Sequence, residues 1–495
     1  MKIYNTLSGK KEEFAPQSDE VKMYVCGVTP YSDAHIGHAM SYVIFDVIKR
    51  HLQFSGYKVK YVQNITDIDD KIIERANNLG ISTNELAEKF TNSYFEDMEA
   101  LNVMRADIQP RATEVIPDMI KVIQGLVDKG FAYPSQGSVY FRVKNVPDYG
   151  NLSHRNLESM MSAEGALGSD EKESPMDFVL WKAVKPDEPS WESPWGDGRP
   201  GWHIECSTMS MKYFGDTFDI HGGGQDLVFP HHENEIAQSE SFTGIKPVVN
   251  HWIHNGLVQI GKEKMSKSIG NLITIKEALS RYSADAIRIF ILSSYYRSPL
   301  TYSEEAFDAA EKGADRLRQV IKNEEKAETE ANIDIDSYKQ KFTEAMDDDF
   351  GTPQALAIIF DLAREINRLR DSGQGVVKAE MALMELANVL GLTLRPYTPT
   401  SSSEINTELI QQLVNSTIEQ VKKIEQPQLI EEITSEVSSN KDNSTKNLVD
   451  SLIFIRNKLR QYKQWQITDD IRNRLNEMGI ILEDTPQGTI WKQKR

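Results

Sequence analysis

Two short segments carry side chains able to hold phosphate. His35-Ile36-Gly37-His38 stands where an apolar strand pattern hands over to a helical one, and two imidazoles there can donate hydrogen bonds to phosphate oxygens. Gly37 between them removes a side chain, so a flat base could approach the backbone. Lys264-Met265-Ser266-Lys267-Ser268, flanked by Gly256, Gly261 and Gly270, reads as a loop whose two lysines can bring point charges to one phosphate. Charge placed where negative charge develops lowers a phosphoryl-type barrier. Taken singly, the first segment also fits two surface histidines and the second a solvated basic turn.

A third group involves sulfur. The chain has two cysteines, Cys26 at the end of a strand pattern and Cys206 in Gly201-Trp-His-Ile-Glu-Cys-Ser. Neither belongs to a CxxC pair. Pro230-His-His-Glu-Asn-Glu opens a predicted helix on which His231 and Glu235 share a face. HExxH fails, because His232-Glu233 is not followed by a second histidine at the required place. Cys26, Cys206, His231 and Glu235 would make a tetrahedral zinc set, while spacing alone also fits two buried core cysteines.

Elements must bring these residues together. From Val21 the pattern reads strand (Lys22 to Cys26), helix (Ile36 to Leu52), strand (Val59 to Gln63), helix (Asp67 to Asn78, stopped by Gly80), the start of a parallel, doubly wound α/β sheet. The alternation weakens between 113 and 200, read as an insertion, and strand signals return at Asp216 to Ile220 and Leu257 to Ile260. From 304 the pattern is helical. Residues 396–445, rich in Ser, Thr, Glu, Gln and Asn, read as loose flanks around one surface helix. Beyond them come two helices and a hairpin, Ile480 to Glu483 and Thr489 to Lys492.

Composition sets the bounds. At 495 residues the chain is long enough for about three domains, and 26% charged with 39% apolar residues marks ordinary globular make-up. Two cysteines exclude a disulfide framework. No eighteen-residue apolar run occurs and the N-terminus lacks signal-peptide order, so the expected setting is the cytoplasm, with no membrane partner. The formal charge of -18 argues against a polyanionic partner as an average, but the last 45 residues carry nine Lys+Arg against five Asp+Glu. Trp465 and Trp491 in that tail read as core aromatics, with stacking on nucleic-acid bases the other reading.

HIGH and KMSKS together resemble the paired signatures of class I aminoacyl-tRNA synthetases. Cys26-Gly27, GWHIECS, DIHGGGQDLVFPHHENEIAQ and the terminal LEDTPQGTIW resemble the cysteinyl-tRNA synthetase family over essentially the whole chain. The resemblance implies ligation of L-cysteine to tRNA(Cys) through a cysteinyl-adenylate, with ATP and Mg2+ as reactants and a monomer as the working form. His35, His38, Lys264 and Lys267 would stabilise the transition state. Gly37, His38, Gly222, Gly223, Gly224, Asp226 and Lys267 would bind ATP, Asp226 on the ribose, and Thr66 and Trp202 would line the cysteine pocket. One zinc per chain on Cys26, Cys206, His231 and Glu235 would take the substrate thiol. Four protein ligands normally mark a closed site, so a fifth ligand or a loosely held Glu235 is required. Asp67, Asp69 and Asp70 read as charge at a helix N-terminus, not as a magnesium site.

The implied architecture is a Rossmann-like doubly wound catalytic domain with an inserted connective subdomain, then an α-helical bundle and a small mixed α/β C-terminal domain. The expected division is 1–112 and 201–303 for the catalytic halves, the second including the KMSKS and stem-contact region, and 113–200 for the insertion. The bundle follows at 304–395, a linker with a surface helix at 396–445, and an anticodon-binding domain at 446–495. Pro30, Ser32 and Met40 depart from the usual family pattern around HIGH. Pro30 resembles a relative, the cysteine ligase of mycothiol synthesis, which adenylates cysteine at the same kind of site but has no anticodon domain; that is the alternative. An inactive zinc- and RNA-binding paralogue is the remaining reading.

Overall fold

A computed structural model describes residues 1–16, 18–156, 171–186, 188–260, 263–264, 272–321, 331, 333–397, 407–424, 426–439, 445–462, 464–478, 480–485 and 488–493. The apolar run after Asp19 forms the strand Glu20–Val28, nearly all of it buried. It is an inner strand of a four-stranded parallel sheet, ordered Val249–Asn255, Phe218–Gly224, Glu20–Val28, Lys58–Ile65. The helix Ile36–Phe54 links Glu20–Val28 to Lys58–Ile65, whereas the later strands add on the opposite side. Strand order therefore reverses at Glu20–Val28. In doubly wound sheets the crevice at the carboxyl ends beside such a switch is where ligands bind.

The fourth sheet strand differs from the expectation. Val258–Ile260 joins a separate three-stranded sheet with Glu263–Lys264 and Leu300–Tyr302, and Val249–Asn255 takes the edge of the parallel sheet instead. Its sequence, VNHWIHN, alternates too many polar residues to read as a buried strand, yet six of the seven are buried. The polar ones have partners inside: the Ser41 hydroxyl donates to Asn255 Oδ1 at 2.9 Å and His254 Nδ1 lies 2.8 Å from Thr6 Oγ1.

Within the 113–200 region the described residues form the helix Ile116–Asp128 and a four-stranded antiparallel sheet, Ala132–Ser135, Ser138–Phe141, Phe178–Ala183 and Gly198–Pro200. The three aspartates after Thr66 have structural partners. Asp69 caps the helix Asp70–Leu79, Asp67 accepts from the Thr113 amide and hydroxyl, and Asp70 pairs with Lys182 and Arg199.

Two compact units emerge, Met1–Leu279 with Ser283–Pro396, and Ser280–Tyr282 with Tyr397–Arg495. The helices Glu304–Arg318, Ile335–Asp347, Thr352–Asp371 and Val377–Val389 group with the parallel sheet in the first of these units. The physical reason is a set of buried ties, among them His51 Nε2 at 2.9 Å from Asp347 Oδ1.

In the second unit, the expected linker with a surface helix is corrected. Thr407–Val421 and Pro427–Ser439 are both helices, and they share a core with Thr445–Gln461, Trp465–Glu477 and the hairpin Ile480–Thr485/Gly488–Gln493. Ile410, Leu413, Val414, Leu429 and Ile433 are fully buried there, so the expected surface helix belongs to a core and the polar average hid a second apolar stripe. Trp491 packs against this core, but Trp465 is 55% exposed and so is no core residue. Among the described residues no helix is long and apolar enough to cross a membrane.

Candidate active site and metal centre

The carboxyl ends of the sheet open into a cavity of about 290 Å³ lined by Cys26, Gly27, Val28, Thr29, Tyr31, His35, Gly37, His38, Ser41, Tyr42, Lys71, Gly224, Asp226, Leu227, Asn255, Gly256, Leu257 and Val258. A larger hollow of about 700 Å³, lined by Lys11, Arg297 and Lys341 among others, shares no residue with it. Gly27 is required where it stands. Its amide donates to Asn64 Oδ1 at 2.8 Å, and any Cβ there would sit 1.5 Å from the Asn64 carbonyl oxygen.

His35 is the N-cap of the helix Ile36–Phe54. Its Nδ1 accepts from the Gly37 amide at 3.1 Å, and His38 Nδ1 accepts from the His35 amide at 3.2 Å, a reciprocal capping box built from two imidazoles. The rings stack at 3.9 Å. With Nδ1 accepting in both, each neutral ring carries its proton on Nε2 as a donor. Burial, reinforced by the His35 ring, pushes His38 down to about 3; burial lowers His35 too, against the pull of Asp226. Gly37 serves a purpose beyond the one anticipated, since a Cβ would lie 2.9 Å from the His35 ring and disturb the cap.

Beside this cavity lies a buried group of sulfur, imidazole and carboxylate. Ligand atoms of Cys26, His231, His232 and Glu235 all fall within 4.8 Å of one another, and Cys26 Sγ is 3.6 Å from Cys206 Sγ. His231 Nε2 is 2.9 Å and His221 Nε2 2.8 Å from the two Glu235 oxygens. The Cys26 thiol donates to Cys206 and, against burial, draws it down to about 6, while burial pushes Cys26 itself up. Although burial opposes its charge, the Glu235 carboxylate carries His231 up to about 10. The pocket thus gathers two sulfurs, imidazole and a carboxylate away from water, a donor set whose negative charge a divalent cation would offset. The donor chemistry fits zinc, whose tetrahedral ligands stand roughly 3–4 Å apart.

Residues 13–312 match the class I (C) tRNA synthetase catalytic domain, and residues 341–395 the DALR domain. The chain is 54% identical to the cysteine–tRNA ligase of Dehalococcoides mccartyi and 46% identical to that of Thermodesulfovibrio yellowstonii, with all of this chain and all of each relative covered. It belongs to the cysteine–tRNA ligase family. Methionyl-tRNA synthetase of Mycobacterium tuberculosis bound by methionyl-adenylate shares the fold, at TM-score 0.53 and 16% identity over 76% of this chain and 88% of that one.

For a cysteine–tRNA ligase family member, the placement of the remaining expected residues is instructive. Asp226 and Gly224 line the cavity, but Gly222 and Gly223 do not. A Cβ on Gly222 would lie 2.2 Å from the Phe45 ring and one on Gly223 2.9 Å from His232, so these glycines let the strand pack on the His35 helix and on the sulfur–imidazole group. Gly222→Ala is accordingly expected to cost about 1–3 kcal/mol by overpacking, read as a lower urea midpoint. Thr66 is buried, its hydroxyl donating to Glu205 Oε2 at 2.7 Å, away from the cavity lining. Trp202 stacks on His231 at 4.3 Å with 40% of its surface exposed. Lys267 and the Lys264 side chain lie outside the described residues. Met40 is a core residue, 1% exposed, and Pro30 is buried, so these departures fall at packing positions.

Three functional neighbours were not legible beforehand. His232 Nε2 is 3.2 Å from Cys26 Sγ, its Nδ1 is 2.7 Å from His254 Nε2, and His221 holds Glu235. The only sequence signal was the double histidine at 231 and 232.

Proposed function

We propose that this chain is a cysteine–tRNA ligase. The cysteine carboxylate attacks the α-phosphorus of ATP, the bond to pyrophosphate breaks, and cysteinyl-adenylate forms. A terminal ribose hydroxyl of tRNA(Cys) then takes the cysteinyl group and AMP leaves. The observation that carries this reading is Cys26, which lines the nucleotide-sized cavity and also belongs to the sulfur–imidazole group. Substrate thiol and reacting carboxylate are close together in cysteine, and the two halves of the site meet at that residue.

The neutral His35 and His38 rings offer Nε2–H donors to phosphate oxygens at the N-terminus of the Ile36–Phe54 helix, whose dipole favours the same charge. Asp226, on the cavity lining, is assigned to the ribose, and Lys264 and Lys267 to the pyrophosphate oxygens, with Mg2+ entering on ATP. Cys26, Cys206, His231 and Glu235 would hold zinc, which when bound supplies a site that prefers a deprotonated sulfur over a hydroxyl and so separates cysteine from serine. His221 Nε2 holds one Glu235 oxygen and orients the carboxylate, so that a Glu235 bond to the metal would compete with that ring donor. The unit Tyr397–Arg495 is assigned to the anticodon arm.

Cysteine-dependent ATP–pyrophosphate exchange, assayed across all amino acids and followed by charging of tRNA, tests the reading. Exchange with cysteine and charging of tRNA(Cys) are expected; exchange without charging would favour the mycothiol-type ligase, and no exchange would overturn both. Because His38 is already neutral, His38→Asn is expected to lower the exchange rate about tenfold to a hundredfold, the worth of one hydrogen bond to a charged acceptor. It should leave the shape of the pH profile between 5 and 8 unchanged.

A further inference from the structure

The chain that follows the KMSKS segment returns directly to the HIGH segment. The Ile36 amide donates to the Ile273 carbonyl at 3.0 Å and the Ile275 amide to the Ala34 carbonyl at 2.9 Å, a two-bond bridge that brackets His35. One residue on, Lys276 Nζ reaches Asp33 Oδ1 at 3.1 Å and the Ser93 hydroxyl at 2.7 Å, and that hydroxyl donates to the same Asp33 oxygen at 2.7 Å. Thr274 and Glu277 close a capping box that starts the helix Ile275–Arg281 in this register.

We infer that Lys276 and Asp33, braced by Ser93, form a positioning pair that sets where His35 stands in the catalytic cavity. The inference rests on the reaction proposed above. Three elements meet at this triangle: the loop before His35, the helix Thr83–Ala100 and the start of Ile275–Arg281. The backbone bridge alone fixes two atoms on either side of His35. The side-chain triangle removes the remaining freedom of the loop to rotate about that bridge, because Asp33 is two residues from His35 and is held from two directions.

Lys276 does more than neutralise Asp33. Asp97 and Glu96 also act on its charge. Asp97 is 2% exposed, and its Oδ2 has no hydrogen-bond partner. Burial raises Asp97 to about 6, against the pull of the Lys276 ammonium. Lys276 thus stands among three carboxylates, with Lys89 a second cation acting on Asp33, and its loss would weaken what holds them together beside the His35 loop.

The test reads position directly and activity separately. In Lys276→Met, amide hydrogen exchange at Ile36 and Ile275 is expected to accelerate about fivefold, the ceiling for a half-exposed ion pair, with strand amides of the parallel sheet unchanged. In the same variant kcat for cysteine-dependent exchange is expected to fall about fivefold with KM for cysteine unchanged, since the sulfur pocket lies elsewhere. Lys276→Arg should restore both. Adding Asp33→Asn to Lys276→Met should cost nothing further. Unchanged amide exchange at Ile36 and Ile275, or full additivity of the two substitutions, would overturn the inference. A wild-type protein that fails to activate cysteine would sink the proposed reaction alone, because the amide measurement still decides whether the pair positions this loop.

Discussion

Cys26→Ser is expected to lose its zinc and more than about a hundredfold of its cysteine-dependent exchange while keeping its fold. Loss of a partner one bond removed from a metal already costs roughly 10–100-fold in affinity, so removal of a sulfur donor must exceed that. The geometry shows how many donors that sulfur touches. Cys26 Sγ lies 3.2 Å from His232 Nε2 and 3.6 Å from both Cys206 and Glu235. Serine would fill the space, but its hydroxyl stays protonated at neutral pH and is a weak ligand.

Metal analysis should therefore show less than about a tenth of a zinc per chain against one for the wild type, with an unchanged melting profile of the metal-free proteins. The remaining exchange should discriminate cysteine from serine only by about a hundredfold, what a pocket reading shape alone achieves between near-isosteres. His38→Asn is the control, since it touches phosphate and not sulfur and should keep its zinc. A Cys26→Ser protein with full zinc and full activity would remove Cys26 from the ligand set, and full activity without zinc would remove the metal from the proposed chemistry.

How far the site was legible follows from where its atoms come from. His35 and His38 are local: a helix start, a glycine and two imidazoles are visible in one tetrapeptide, and only the direction of the capping bonds had to come from the structure. The sulfur group is not local. Cys26 ends one strand, Cys206 sits on the helix Trp202–Phe214, and His231 and Glu235 straddle the start of the helix Glu233–Thr243. Their meeting depends on strand order, which the alternation of elements implies without specifying. His221 and His254 were invisible for the same reason, doubly so for His254, whose strand is too polar to read as one. The C-terminal unit shows the opposite failure. There a Ser/Thr/Glu/Asn-rich composition masked a second helix whose apolar residues recur only every three or four positions, and a stripe that narrow suffices when several helices pool their faces.

Arg288→Met is expected to destabilise the larger unit by about 3 kcal/mol, at the lower end of the roughly 3–5 kcal/mol for breaking a buried ion pair from one side. Arg288, on the helix Ala284–Leu292, is 0% exposed, and each of its three nitrogens donates. Nη2 reaches Asp46 at 2.5 Å, Nε the Leu390 carbonyl at 2.9 Å, and Nη1 the Leu101 and Asn102 carbonyls at 3.0 and 3.3 Å. One side chain thus ties the His35 helix, the end of Thr83–Ala100 and the end of Val377–Val389. Gly391 is shaped around it, with φ at +69° and a would-be Cβ only 1.9 Å from Nη2. Methionine fills the stem but leaves the Leu101 and Leu390 carbonyls without that donor and Asp46 with less charge beside it, while the Asn102 carbonyl keeps Arg50 Nη2 at 2.9 Å. The loss stays near the lower end because Asp46 keeps the Arg50 Nε and the Met104 amide, each at 2.9 Å. Lysine should rescue only part, since a point ammonium cannot span the fork. Urea denaturation of Arg288→Met, Asp46→Asn and the double variant measures the coupling; a loss below about 1 kcal/mol for Arg288→Met would show that the tie is redundant. Below the transition, kcat per folded molecule should match the wild type, because Asp46 lies more than two turns from His38 along a helix whose N-terminus is held independently by its own histidine cap and the bridge to Ile273.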